Sequence, residues 1–178
     1  WLPRKRVVSM TARHWWSMMT DPQLRRAIVA EAVSWIGTPY SHQASVKQNG
    51  CDCLGLVRGI WRSVYGSEPE AAPPYAPDMD EAEDAGNLDR AVRRHLLSAK
   101  DPKPGSLLLL RWHPSMPAKH LGIVENVDGS GGPPVFVHAH SQLGVCRARL
   151  EGSWNRRLAG VFDFPAKCEF QPDNRKVR

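Results

Sequence analysis

The sequence predicts an α+β domain in which helices pack on an antiparallel sheet of five strands. Apolar residues recur at helical spacing in the first half of the chain. In the second half they form short alternating or continuous runs bounded by Gly and Pro. Helices first and strands after is the order of an α+β fold, not the alternation of a parallel one. At 178 residues the chain is long enough for one domain with a real core and too short for two ordinary ones. The expected division is an N-terminal arm over 1–20, a domain over 21–165 and a C-terminal tail over 166–178.

Each element has its own signal. Residues 1–20 carry Trp15, Trp16, Met18 and Met19 without cap or period, which reads as an arm that packs on another surface. Asp21 is a good N-cap, Pro22 suits the first helical position, and Leu24, Ile28, Ala32 and Trp35 define a helix over 22–36 that Gly37 stops. Pro39 makes its predecessor extended, and 41–52 reads as a polar loop. A second helix opens at Cys53, with Leu54, Val57, Trp61 and Val64 on one face, and Gly66 ends it. Pro69, Pro73, Pro74 and Pro77 make an irregular connection to a third helix over 81–98. That helix is acidic early at Glu81, Glu83 and Asp84 and basic late at Arg93, Arg94 and His95, complementing the helix dipole. Strands are expected at 106–112, 120–126, 135–141, 144–150 and 159–164. Short links between them predict an antiparallel meander.

Composition narrows the function. An apolar fraction of 42% with 24% charged residues is that of a globular chain. The longest apolar run, Leu107 to Leu110, is far below the ~20 residues of a membrane span. Arg4-Lys5-Arg6 is followed by an interrupted apolar segment, so no signal peptide is expected in the residues shown. A net charge of +6 points toward acidic partners, whether nucleic acid, anionic membrane or anionic cell-wall polymer, but the basic residues are scattered and a solvated surface is the leading reading. No basic cluster is interleaved with aromatics, so no nucleic-acid groove is expected. The cysteines are Cys51, Cys53, Cys146 and Cys168, and reduced thiols are the default in a chain that builds its own core. A four-thiolate metal site is the rival reading, but the spacing fits no strong pattern.

Two features point to nucleophilic chemistry. Cys53 stands where a loop meets a helix N-terminus. Unpaired backbone N–H groups and the dipole there favour a thiolate, so a depressed pKa is expected. His120 opens an apolar strand, and His138 lies inside the next one. A buried imidazole needs a partner, and a histidine across the hairpin supplies one, orienting the other ring as the third member of a triad does. His140 shares a face with His138, so spacing does not choose between them.

Gly37-Thr38-Pro39-Tyr40, Asp52-Cys53-Leu54-Gly55-Leu56, Pro104-Gly105-Ser106-Leu107, His120-Leu121-Gly122-Ile123 and Val137-His138-Ala139 occur in that order. In these five motifs the chain resembles the NlpC/P60 family of cell-wall endopeptidases, which are papain-like cysteine peptidases. The resemblance implies a papain-like fold with Cys53 as nucleophile, His120 as general base and acid, and His138 as the group orienting His120. It places Tyr40 and Asp52 on the substrate and oxyanion side, with the backbone N–H of Cys53 in the oxyanion hole, and it implies no metal or cofactor. Leu54 departs from the family's Ser, Ser106 from its Asp, and His42 stands where a Trp is frequent.

The form Asp-Cys-Leu-Gly-Leu-Val-Arg-Gly with a following Trp resembles peptidases of phage tails and gene transfer agents. The implied function is hydrolysis of an amide in the peptidoglycan stem peptide, at the bond between D-glutamate and the diamino acid. The implied location is a virion tail, or the extracellular or periplasmic cell wall, with tail or baseplate proteins docking on the termini. Two alternatives stand beside it: a catalytically silent tail component that keeps the fold, and an amidase or acyltransferase of the same fold.

Overall fold

The computed structural model describes residues 21–75, 86–127, 129 and 131–166. The arm over 1–20, the acidic residues Glu81, Glu83 and Asp84, and the tail beyond 166 with Cys168 lie outside the described residues.

Helix α1 (Asp21–Ser34) buries Leu24, Ile28 and Ala32 on one face. The stretch expected as a loop holds a small hairpin, β1 (Ser45–Val46) against β2 (Gly50–Cys51). Helix α2 (Cys53–Tyr65) follows at once. Asp52 caps its start and Gly66, at φ 88°, closes it. Its Gly59 faces Trp35 so closely that an added Cβ would lie 2.0 Å from the indole. That close approach brings α1 and α2 together.

Helix α3 is shorter than expected, Asn87–His95. Leu96 is already extended (φ −124°, ψ 153°), and Leu97–Ala99 becomes strand β3. Pairing with a distant strand satisfies this backbone better than another helical turn, and such a partner leaves no local sequence signal. The remaining strands are β4 (Leu107–Leu110), β5 (His120–Asn126), β6 (Val135–His140) and β7 (Gly144–Arg149). A one-turn helix α4 (Gly152–Arg156) and strand β8 (Leu158–Asp163) complete the order.

Among the described residues the sheet has six strands, not five, in the order β3-β8-β4-β5-β6-β7, all antiparallel. Strands β4 to β7 form the expected meander. Strand β8 does not extend it: it returns to the far side of β4. One face of the sheet, through Leu107, Leu109, Leu121, Ile123 and Val137, packs on Leu56, Ile60 and Trp61 of α2 and on α1. The other face carries Leu108, Leu110, Val124 and Phe136 with Trp154 of α4 against it. Arg25 of α1 holds Asp163 of β8 with two bonds of 3.0 and 2.6 Å, and the Ser106 hydroxyl donates to the same carboxylate at 2.7 Å. Helix α1 is thus tied to the end of β8. No helix among the described residues is long and apolar enough to cross a membrane.

Candidate active site

Asp52 sets the first half of the site. Its Oδ1 accepts the Gly55 N–H at 2.7 Å, while Oδ2 accepts the Gln43 N–H at 2.7 Å and the Tyr75 hydroxyl at 2.6 Å. The carboxylate is 3% exposed. Both oxygens serve protein donors, so the residue positions α2 and its loop. Gly55 is the only residue type that fits there, because a Cβ would stand 1.8 Å from the Ala44 carbonyl oxygen. Tyr40 is 36% exposed, its backbone bridged to Cys51.

The capped helix delivers Cys53 to the start of β5. The β5–β6 ladder has ended by then, its last pair at that end being Ile123 with Val137. In that opening the Cys53 thiol donates to the Lys119 carbonyl oxygen at 3.9 Å, the peptide that leads into His120. Backbone N–H groups of Leu121, Leu54 and Cys53 itself also face the sulfur. Cys53 is half-buried at its surface, yet protein atoms crowd the sulfur from almost every direction. Burial, and then the Asp52 charge, push its pKa up to about 12, against the pull of those N–H groups. The depressed pKa expected from the helix dipole is therefore overridden: desolvation wins at this site, and the resting group is a thiol.

The two histidines form the second half. His120 Nε2 and His138 Nδ1 are 2.9 Å apart, with rings at 89°. The structure thus brings His138, and not His140, to the His120 ring, while the His140 Nδ1 accepts the Gln142 N–H. The alternation along the strands sets the imidazoles on the face of Phe136 and Val124, opposite α2. The sulfur instead touches the carbonyl of Lys119, the residue just before β5. His120 and His138 are 8% and 2% exposed. Burial pushes the pKa of His120 down to about 3, with help from His138, His140 and Arg157. Burial and then His140 push that of His138 down to about 4. Both rings rest neutral above these values.

Several residues around the site escaped the sequence reading. Trp154 stacks over His120 at 5.8 Å and meets His138 edge-on at 4.9 Å. Trp112 stacks on His120 at 5.7 Å, and the Arg157 guanidinium lies over both indoles, 4.5 and 5.2 Å from their centres. No periodicity marks the one-turn helix that carries Trp154. Cys146 is the register partner of His138, its sulfur 3.8 Å from His138 Nε2. The short link between 135–141 and 144–150 would have revealed that pairing. Cys51, Cys53 and Cys146 are free thiols. Among the described residues no three metal-ligating side chains converge.

No family model matches the chain, and no curated protein matches it. Solved structures do. A lipoprotein-like protein of the NLP/P60 family from Staphylococcus aureus aligns with a TM-score of 0.53 at 18% identity. The alignment covers 82% of this chain and 42% of that one, so this chain spans less than half of that protein. The NlpC/p60 domain of the peptidoglycan hydrolase SagA gives 0.49 at 23% identity, over 78% of this chain and 97% of that one. An N-acetylmuramoyl-L-alanine amidase from Bacteroides uniformis gives 0.44 at 13% identity, over 79% and 97%. The chain has an α+β fold like that of the NLP/P60 protein from Staphylococcus aureus.

Proposed function

We propose that the chain is a cysteine peptidase of the NlpC/P60 type that hydrolyses an amide bond in the stem peptide of peptidoglycan. The observation that carries this reading is the buried His120–His138 pair, with the Cys53 sulfur against the carbonyl of Lys119, the residue before His120. The sulfur of Cys53 lies against the peptide entering His120, and His120 Nε2 is held by His138, which leaves Nδ1 as the nitrogen available to a thiol.

In the reaction Cys53 gives its proton to His120 Nδ1, and the sulfur attacks the scissile carbonyl carbon. The developing oxyanion takes the backbone N–H of Cys53. The imidazolium protonates the leaving amine, the thioester remains, and a water deprotonated by the same ring releases the acid. The thiol bonds to Lys119 O rather than to the ring, so sulfur and ring must come together before proton transfer. Contacts of this kind commonly tighten only with substrate bound. On this reading the protein works in a virion tail of phage or gene transfer agent type, or in the cell-wall space, and tail or baseplate proteins dock on its termini.

A second reading, a silent tail component, is favoured by one observation: the resting thiol is buried, neutral and turned to a carbonyl. Digestion of purified sacculi, with mass spectrometry of the released muropeptides, separates the two. The peptidase reading expects cleaved stems from the wild-type chain and none from Cys53→Ala. Cleavage retained in Cys53→Ala removes the assignment, and no cleavage by either protein, with Cys53 inert to iodoacetamide, leaves the scaffold.

A further inference from the structure

The neutral His120–His138 pair admits two proton arrangements, and only one is productive. If His138 Nδ1–H donates to His120 Nε2, the His120 proton must reside on Nδ1, and the ring cannot accept from Cys53. If His120 Nε2–H donates to His138 Nδ1, then His120 Nδ1 is a free base, and the proton of His138 moves to its own Nε2. The second arrangement obliges His138 Nε2–H to find an acceptor. It is obligatory once His120 becomes an imidazolium, because both nitrogens of that ring then carry protons.

The group facing His138 Nε2 is the sulfur of Cys146, at 3.8 Å on the paired residue of the neighbouring strand. Register fixes this placement, since His138 and Cys146 are directly opposite in the β6–β7 ladder. Trp154 covers His138 edge-on, and His138 is 2% exposed, so few other partners can reach that nitrogen. Cys146 itself is half-buried on the edge strand, which lets its S–H turn to water while a sulfur lone pair accepts.

We propose that Cys146 is a positioning residue, the terminal acceptor of a Cys53–His120–His138–Cys146 relay that holds the proton arrangement leaving His120 Nδ1 free. This rests on the peptidase reading for its kinetic consequence, but its structural consequence does not. The decisive measurement is nitrogen-15 NMR of the full chain labelled at histidine. In the wild type His120 is expected protonated at Nε2 and bare at Nδ1, and His138 protonated at Nε2. In Cys146→Ala a second population with His120 protonated at Nδ1 appears. In Cys146→Asp, whose carboxylate only accepts, the productive arrangement returns.

On purified sacculi, kcat is expected to fall about fivefold to tenfold in Cys146→Ala, the worth of one neutral hydrogen bond, with KM unchanged. Cys146→Asp recovers most of that loss. The same tautomer in all three proteins overturns the proposal, as does a wild type protonated at His120 Nδ1. Intact tautomer shifts with no hydrolysis by any variant would instead remove the peptidase reading and keep the relay.

Discussion

Asp52 joins the fold and the chemistry of this protein through one carboxylate, and its two oxygens separate the effects. In Asp52→Ala the cap of α2 goes, which costs about 1 kcal/mol. The Gln43 N–H and Tyr75 hydroxyl lose their acceptor as well, each costing about 1 kcal/mol because Tyr75 is half-buried and Gln43 exposed. A total near 3 kcal/mol lowers the melting temperature of a chain of this size by roughly 6–12 °C. In Asp52→Asn an amide oxygen still caps the helix, while the Gln43 N–H and Tyr75 hydroxyl both lose their acceptor, so about 2 kcal/mol is expected.

The charge effect runs the other way. Asp52 is the second cause, after burial, of the raised pKa of Cys53. Removing its charge lets that pKa fall, and each unit multiplies the thiolate fraction at pH 8 about tenfold. The assay is paired: urea denaturation of both variants, and the iodoacetamide rate at Cys53 in Asp52→Asn. Loss of less than 1 kcal/mol in Asp52→Ala, or alkylation no faster in Asp52→Asn than in the wild type, would refute this account of the carboxylate.

Other outcomes follow from the same geometry. Both buried histidines have folded pKa values below the ordinary 6.5, so their contribution to stability is complete above pH 6.5 and is lost as pH falls toward about 4 and then 3. Each histidine should steepen the fall by up to about 1.4 kcal/mol per pH unit in that window. Urea midpoints measured from pH 7.5 to 4.5 check this, and a His120→Gln, His138→Gln double variant should flatten the curve. Gly55→Ala drives a methyl into the Ala44 carbonyl and should cost about 2–4 kcal/mol, read by the same denaturation. His138→Ala should depress sacculus hydrolysis by 10²-fold or more while His140→Ala stays within about tenfold, since only His138 reaches His120. Equal losses would transfer the orienting role to His140.

Most of the helical half was legible because its signals are local. A cap, a proline at the first turn and a 3.6-residue apolar period are written within a dozen residues, and α1 and α2 follow them to within about two residues. The positions of β4 to β8 and the β4–β7 meander were legible for the same reason. The β1–β2 hairpin, β3 and the placement of β8 were not, and the last two depend on pairing across about 60 residues of chain. Propensity is blind to such separation.

At the site, sequence alone picked out the candidate groups: one thiol at a helix N-terminus and histidines on consecutive strands. It did not determine their protonation. The helix dipole argued for a thiolate, but the tertiary structure buries the sulfur beside a carboxylate, and desolvation exceeds the dipole's pull. Nor did spacing choose between His138 and His140, which share a face. That choice fell to the twist and opening of the β5–β6 ladder, which sets one ring 2.9 Å from His120. Identity of the groups is a local property of the chain. Their charge and mutual distance depend on everything packed around them, and only the folded molecule decides those.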